Sequence, residues 1–263
     1  MNKIDVIIPV IEKDLDVFPY TVDSIRKQVR HPIGEIFVVA PESKKIRELS
    51  GAKGCIYVNE NSVLPISKAD INYSPVRRNI SVDRSGWLFQ QFLKLGGDTL
   101  GDSDGFMVID ADTVLIRPHI FEQNGKMALF CRSLYYRPYF TTYQRLLGEN
   151  APGPLQAKFF VSHYMYFNKK RLAELKKVIE MRHDTEWYTA IIKCMSKKQW
   201  DSFSEFETYG NFMLKNHPAE IILKPRRNLS CKRTSIKNIA KMNMNQLAQK
   251  YGFRSVSFHS WNE

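Results

Sequence analysis

Short apolar runs that alternate with helix-length stretches constrain this chain more than any other feature. "IDVIIPV" (4–10) and "EIFVVAP" (35–41) are too short for helices and too uniformly apolar for half-exposed strands. Such runs read as parallel strands covered on both faces. "GCIYVNE" (54–60) reads as a third strand. Between the first two lies a helical pattern from Val17 to Val29, with Val22, Ile25 and Val29 recurring at helical spacing. The alternation predicts an α/β fold with a doubly wound, Rossmann-like sheet, whose ligands bind at the carboxyl ends of the strands. No GxGxxG follows the first strand, which argues against a dinucleotide.

A fourth run ends differently. In "GFMVIDADTVLI" (105–116) the apolar residues Phe106 to Ile109 lead straight into Asp110 and Asp112, with Ala111 between them. Period-two geometry predicts both carboxylates on one side of an extended segment. Two hard oxygen donors in that position suit Mn²⁺ or Mg²⁺, held jointly with substrate phosphates. The competing reading is an acidic turn in which Asp112 caps the next segment. The preceding "LGDSDG" is not an EF-hand, because that frame would begin at Leu100 and end at Ala111.

The flanking segments supply further chemistry. Residues 61–84 are irregular and carry Arg77, Arg78 and Arg84. "SGWLFQQFLKLGG" (85–97) predicts a helix with a core stripe of Leu88, Phe92 and Leu95 and a second face of Trp87, Gln91 and Lys94. Gly96 and Gly97 would cap its end. Residues 132–156 are rich in tyrosine, proline and glycine, and "KFFVSHYMYFN" (158–168) reads as one strand. "KKRLAELKKVIEMR" reads as a basic helix, and "DTEWYTAIIKCM" as a helix capped by Asp184. "SEFETYGNFMLKN" (204–216) starts another, "IILKP" a late strand, "IKNIAKMNMNQLAQKYG" a helix, and "SVSFHSW" (255–261) a closing strand.

Charge and cysteine usage narrow the function classes. The 263 residues carry a net charge of +12, which favours an anionic partner: nucleic acid, an acidic membrane surface or a phosphorylated substrate. No helix-turn-helix, zinc-finger or RNP signature is present, so nucleic acid is not expected. The four cysteines are scattered without CxxC spacing and read as free thiols, three of them in or near the core. No apolar stretch is long enough to span a membrane, and the first apolar run is too short for a signal peptide. A cytoplasmic location is expected.

Taken together, the strand "DVIIPV", the helix "GWLFQQFLKL", the Asp-x-Asp after roughly the fourth strand, "SEFETYG" and the late "FHSW" resemble the GT-A glycosyltransferases. The resemblance is strongest to bacterial enzymes of polysaccharide and lipopolysaccharide synthesis, and it covers most of the chain. It implies one GT-A domain over 1–263, with about 1–118 binding a nucleotide sugar and about 119–263 an acceptor. It also implies a sugar transferred from a nucleotide sugar, UDP-linked, to a glycan or lipid-linked glycan acceptor, and peripheral association with the inner face of a membrane. In that family the first acid faces ribose or metal and the second binds the metal; here these are Asp110 and Asp112. A late histidine commonly completes the site, a place taken by His259. His163 is a second candidate, for donor or acceptor sugar.

Glycosyl transfer also needs the acceptor hydroxyl activated, which an inverting enzyme does with a carboxylate base. Glu205 and Glu207 are the candidates. Ser204 and Glu207 have capping-box spacing, which gives Glu207 a structural role and leaves Glu205 as the base with Glu207 in reserve. Arg77, Arg78, Arg84 or Lys94 would neutralise the leaving diphosphate, Gln91 would contact the donor, and Tyr135, Tyr136, Tyr139 and Tyr143 would stack on sugar rings. Two other classes stay open. A nucleotidyltransferase acting on sugar phosphates would use similar acids, although "PVIEKDLDVFPY" lacks the glycine-rich loop it usually has. A non-catalytic protein binding nucleic acid or a membrane surface would explain the charge without the acids.

Overall fold

The computed structural model describes residues 1–148 and 151–259. The first half comprises β1 (Ile4–Pro9), α1 (Phe18–Gln28), β2 (Ile33–Ala40), α2 (Lys44–Ala52), β3 (Ile56–Asn59), β4 (Val76–Arg77), β5 (Ile80–Ser81), α3 (Ser85–Leu95), β6 (Gly105–Ile109) and β7 (Thr113–Leu115). The second comprises β8 (Glu122–Gln123), β9 (Lys126–Ser133), α4 (Arg137–Leu147), β10 (Lys158–Phe159), β11 (Tyr164–Asn168), α5 (Lys169–His183), α6 (Trp187–Cys194) and α7 (Glu205–Asn216). It closes with β12 (Ile221–Pro225), β13 (Asn228–Lys232), α8 (Met244–Gln249) and β14 (Ser255–His259).

The central sheet has five strands in the order β11-β6-β1-β2-β3. The pairings of β6, β1, β2 and β3 are parallel, and β11 is antiparallel to β6. Every residue of β1 and β6 is buried, which is what the uniformly apolar runs require. A second sheet, β10-β9-β12 with β8 at its side, and a third, β13-β14-β7, pack around it. One large core joins β1, β2, β6 and β11 to α1, α3, α5, α6 and α7, and a smaller cluster around Val114, Val256 and Phe258 sits under β7 and β14. Among the described residues no helix is long and apolar enough to cross a membrane. The four cysteines are free thiols, with Cys55, Cys131 and Cys194 buried.

Several local expectations are corrected. Gly96 has φ −71°, and the chain runs on into a 3-10 turn instead of a left-handed cap. The glycines serve close packing: a Cβ on Gly97 would collide with Ile7 and Phe106, and one on Gly96 with Leu64. Asp184 does not start a helix; it is the left-handed residue that ends α5, at φ 48°, and Glu186 stands at the N-cap of α6. The 158–168 run is two strands, β10 and β11, separated by a break at 160–163. The late helix is a 3-10 segment over Arg233–Lys241 followed by the short α8.

Candidate active site

The Asp-x-Asp segment is a turn, not an extended strand. Asp110 follows the last residue of β6, and Thr113 N–H donates back to Asp110 O at 3.1 Å, closing a four-residue turn into β7. Thr21 of α1 donates its hydroxyl to Ala111 O at 2.8 Å, and Phe258 N–H donates to Asp112 O at 2.9 Å. The two carboxylates are therefore aimed by the turn and its anchors, which strand periodicity does not describe.

An imidazole stands against each acid. His259 Nδ1 lies 3.2 Å from Asp112 Oδ2, and His163 Nδ1 lies 3.2 Å from Asp110 Oδ2. The two rings are 4.8 Å apart between centroids. His163 occupies the break between β10 and β11 with φ 63°, a conformation uncommon for a side chain with a Cβ. That break ends one strand, turns the ring into the site, and lets His163 O accept from Asp110 N at 2.9 Å. Arg226, just beyond β12, donates to His163 Nε2 at 3.3 Å, which leaves Nδ1 as the N–H facing Asp110.

Behind Asp110 lies a buried charge triad. Lys94 Nζ is 2.7 Å from Asp110 Oδ1 and 2.9 Å from Glu205 Oε1, and it also sits 4.7 Å from the centre of the Phe206 ring. Burial disfavours the Lys94 ammonium, but the two carboxylates outweigh it and raise its pKa. Burial pushes the Asp110 carboxyl up, and Lys94 with His163 pulls it well below the usual carboxylate range. For Glu205 burial dominates, so its pKa is raised despite Lys94. Glu205 N–H donates to Gln91 Oε1 at 3.3 Å, which ties the start of α7 to α3. The Gln91 Nε2 is buried and has no hydrogen-bond partner among the described residues. Gln91 and Lys94, expected on a separate face of α3, are both buried against this junction.

Other candidates lie elsewhere. Ser204 caps α7 through Glu207 N–H at 3.3 Å, yet the Glu207 carboxylate does not close the capping box. It accepts from Phe160 N–H at 2.7 Å and from the Asn211 amide at 3.3 Å. Burial raises its pKa to about 8. A carboxyl held up in this way binds its proton more tightly folded than unfolded. Its stabilising contribution is present at low pH and is lost as pH rises from the unfolded value, 4.5, through about 8. Thermal melts from pH 5 to 8.5 should therefore show Tm falling, and Glu207→Gln should flatten the fall. An equally steep profile in the variant would assign that proton to another group.

Arg84 donates through Nε to Trp200 O at 3.1 Å and stacks over Trp87 at 4.6 Å. It is the N-cap residue of α3, ten residues before Lys94, and its guanidinium is engaged at Trp200 and Trp87. Arg77 lies in β4 and its side chain is outside the described residues; Arg78 forms the β4–β5 turn at φ 51° and is exposed. The tyrosines pack mainly on other rings: Tyr135 on Phe140, and Tyr139 on Tyr136 and Phe159, while Tyr136 donates to Asp201 at 2.8 Å. Tyr143 is in the core. Trp261 is outside the described residues.

Three residues were not legible as site residues. Arg226 is one. Asp14 and Arg233 form a buried ion pair in which Arg233 also donates to Phe258 O at 3.1 Å and Lys13 O at 2.7 Å. That pair clamps the loop after β1 onto β14 beside Asp112. Burial raises the Asp14 pKa; Arg233 opposes the shift and Asp112 adds to it. Only the local basic density of "KPRRNLSCKR" (224–233) hinted at Arg226 and Arg233, and nothing in the sequence hinted at Asp14 or at the pairing.

A family model matches residues 1–243. The chain belongs to that family, DUF6492, a family of unknown function. No curated protein matches the chain. Among solved structures, this DUF6492 chain is similar to the apo form of the bifunctional glycosyltransferase WbbM, at 14% identity and TM-score 0.52, covering 98% of this chain and 46% of that one. The chain thus spans less than half of WbbM. It is similar to mouse xyloside xylosyltransferase 1, at 11% identity and TM-score 0.52, covering 99% of both chains. It is also similar to the galactosyltransferase LgtC with donor and acceptor sugar analogues, at 14% identity and TM-score 0.50, covering 97% of this chain and 87% of that one. The fold is therefore the GT-A glycosyltransferase fold, as the sequence resemblance implied.

Among the described residues no group of three His, Cys, Asp or Glu side chains is arranged to hold a metal unaided. Asp112 and His259 do offer one carboxylate and one imidazole in contact, and ions bound with a diphosphate take several ligands from it. Asp110 is already matched by Lys94. The set fits an ion shared with a substrate, carried chiefly by Asp112 and His259.

Proposed function

We propose that this chain transfers a sugar from a nucleotide sugar, UDP-linked, to a glycan acceptor with the aid of Mn²⁺ or Mg²⁺. One observation carries the reading. Lys94, Asp110, Asp112, His163, Glu205 and His259 come from five separate parts of the chain and form linked contacts at the carboxyl end of β6. Ligands of open α/β sheets bind at such ends.

In this reading Asp112 and His259 hold the ion, which supplies charge neutralisation on the departing diphosphate. Lys94 holds Asp110 and Glu205 in place, and His163 orients Asp110. Gln91 offers its unpartnered amide to the donor. Glu205, made more basic by burial, takes the acceptor proton, so the anomeric centre inverts. Glu207 is left out, because Phe160 and Asn211 occupy its carboxylate. Transfer at the cytoplasmic face of a membrane, to a lipid-linked acceptor, belongs to the same reading.

The test is a thermal shift with UDP, with and without Mn²⁺, followed by hydrolysis of a nucleotide-sugar panel. A ligand that binds only the native state raises Tm, so a UDP shift that needs Mn²⁺ is expected. Indifference to both would return the chain to a charge-driven surface binder. His259→Ala should weaken Mn²⁺ and UDP binding together, roughly 10- to 100-fold. A lowered Tm with unchanged metal affinity would make His259 a packing residue.

A further inference from the structure

Charge around the site is matched on one side and unmatched on the other. Lys94 faces two carboxylates, and Arg233 faces Asp14. Across the His163 ring from Asp110, the arrangement changes. Arg226 touches His163, and its peptide N–H donates to Cys131 O at 2.8 Å, so it sits next to Arg132 at the ends of β12 and β9. Arg132 lies over Phe159 at 5.2 Å; burial, and after it the Arg132 charge, lowers the Arg226 pKa to about 10. Arg254 lies over Phe130 at 5.1 Å, and its charge acts on Lys224 of β12. None of these four cations forms an ion pair among the described residues. The Nε atoms of Arg226 and Arg254 are buried without a hydrogen-bond partner.

Holding the part-buried Arg226 beside a second guanidinium without a counter-ion is unfavourable unless an anion is bound in use. Guanidinium forks match the oxygens of a phosphoryl group in geometry as well as charge. Donor diphosphate is the weaker candidate for that anion. Arg226 is on the edge of His163 opposite Asp110, and it stands with Arg132 at the end of the second sheet, so the His163 ring lies between the two arginines and the acids of the β6–β7 turn. We propose that the acceptor of this enzyme carries a phosphoryl group, seated between Arg226 and Arg132 beside His163. The proposal rests on the glycosyltransferase reading for the word acceptor, but the anion site stands on its own geometry.

The experiment measures binding of a hexose 1-phosphate and of the free hexose in EDTA, where an ion-dependent donor site is silent. A parallel arm uses phosphatidylcholine vesicles with and without a polyprenyl phosphate. Wild type should bind the phosphorylated form and not the free hexose; whichever arm gives binding identifies the soluble or the lipid-linked source. Arg226→Gln and Arg132→Gln should each weaken that binding roughly 10- to 100-fold, as expected for loss of a charged hydrogen bond. Arg132 is exposed, so its variant remains informative if Arg226→Gln does not fold. UDP–Mn²⁺ affinity is measured on the same proteins in buffer free of EDTA. If it falls as far as hexose phosphate affinity, the arginines serve the donor diphosphate and the proposal fails. Equal binding of hexose and hexose phosphate also overturns it. Phosphate-selective binding in a protein that ignores UDP and Mn²⁺ would keep the anion site and remove the glycosyltransferase reading instead.

Discussion

Asp112→Asn is expected to abolish turnover and leave the protein folded. An amide is nearly the same shape as a carboxylate, and the Asp112 backbone, which Phe258 anchors, is untouched. It cannot supply the anionic oxygen a divalent ion needs. Loss of an ion's charge stabilisation is worth several kcal/mol of barrier, on the order of 10²- to 10⁴-fold in rate. Asp110→Asn should be nearly as severe by a second route, because Lys94 and His163 would lose the charge that holds them. The measurement is turnover of the active nucleotide sugar across a Mn²⁺ titration, with Tm recorded beside it. An Asp112→Asn protein with wild-type rates in EDTA would end the metal-dependent reading.

Removing Lys94 should have the largest effect on stability. Lys94→Met keeps the stem of the side chain but leaves Asp110 and Glu205 without their shared counter-ion. Breaking a buried ion pair from one side typically costs about 3–5 kcal/mol. For a chain of this size that is a fall in Tm of roughly 6–20 °C. Adding Glu205→Gln to Lys94→Met should restore part of it, since the second carboxylate no longer needs a partner; urea melts on the two singles and the double give the coupling directly. Strict additivity would show that the triad is not an energetic unit. Glu205→Gln alone should fold, bind UDP–Mn²⁺, and transfer sugar about 10² to 10⁴ times more slowly if Glu205 is the base. NMR of the wild-type product anomer decides the stereochemistry. Retained configuration, or a Glu205→Gln enzyme at full speed, would leave Glu205 as a positioning residue for Lys94.

What the sequence determined by itself was the elements whose periodicity is uninterrupted. The buried runs "IDVIIPV" and "GFMVI" could only be covered strands, the stripe of α3 could only face a core, and Asp110 and Asp112 had to emerge together where apolar residues stop. His259 was named through a family resemblance and lies against Asp112. Only the tertiary structure decided what each group faces. Lys94 reads as a cation on the second face of α3, meant for a leaving diphosphate, but α7 packs on α3 and converts it into the buried bridge between Asp110 and Glu205. Glu207 reads as a capping-box partner, but the Phe160 amide, 47 residues away in sequence, takes its carboxylate. His163 is turned inward by a strand break that no period-two pattern reports. Arg226 and Arg132 become neighbours only because β12 pairs with β9, nearly a hundred residues distant. Periodicity is a property of adjacent residues, whereas the partner of a charge is set by which surfaces meet; burial then fixes how strongly that partner matters, because the low dielectric magnifies both the pairing and its absence.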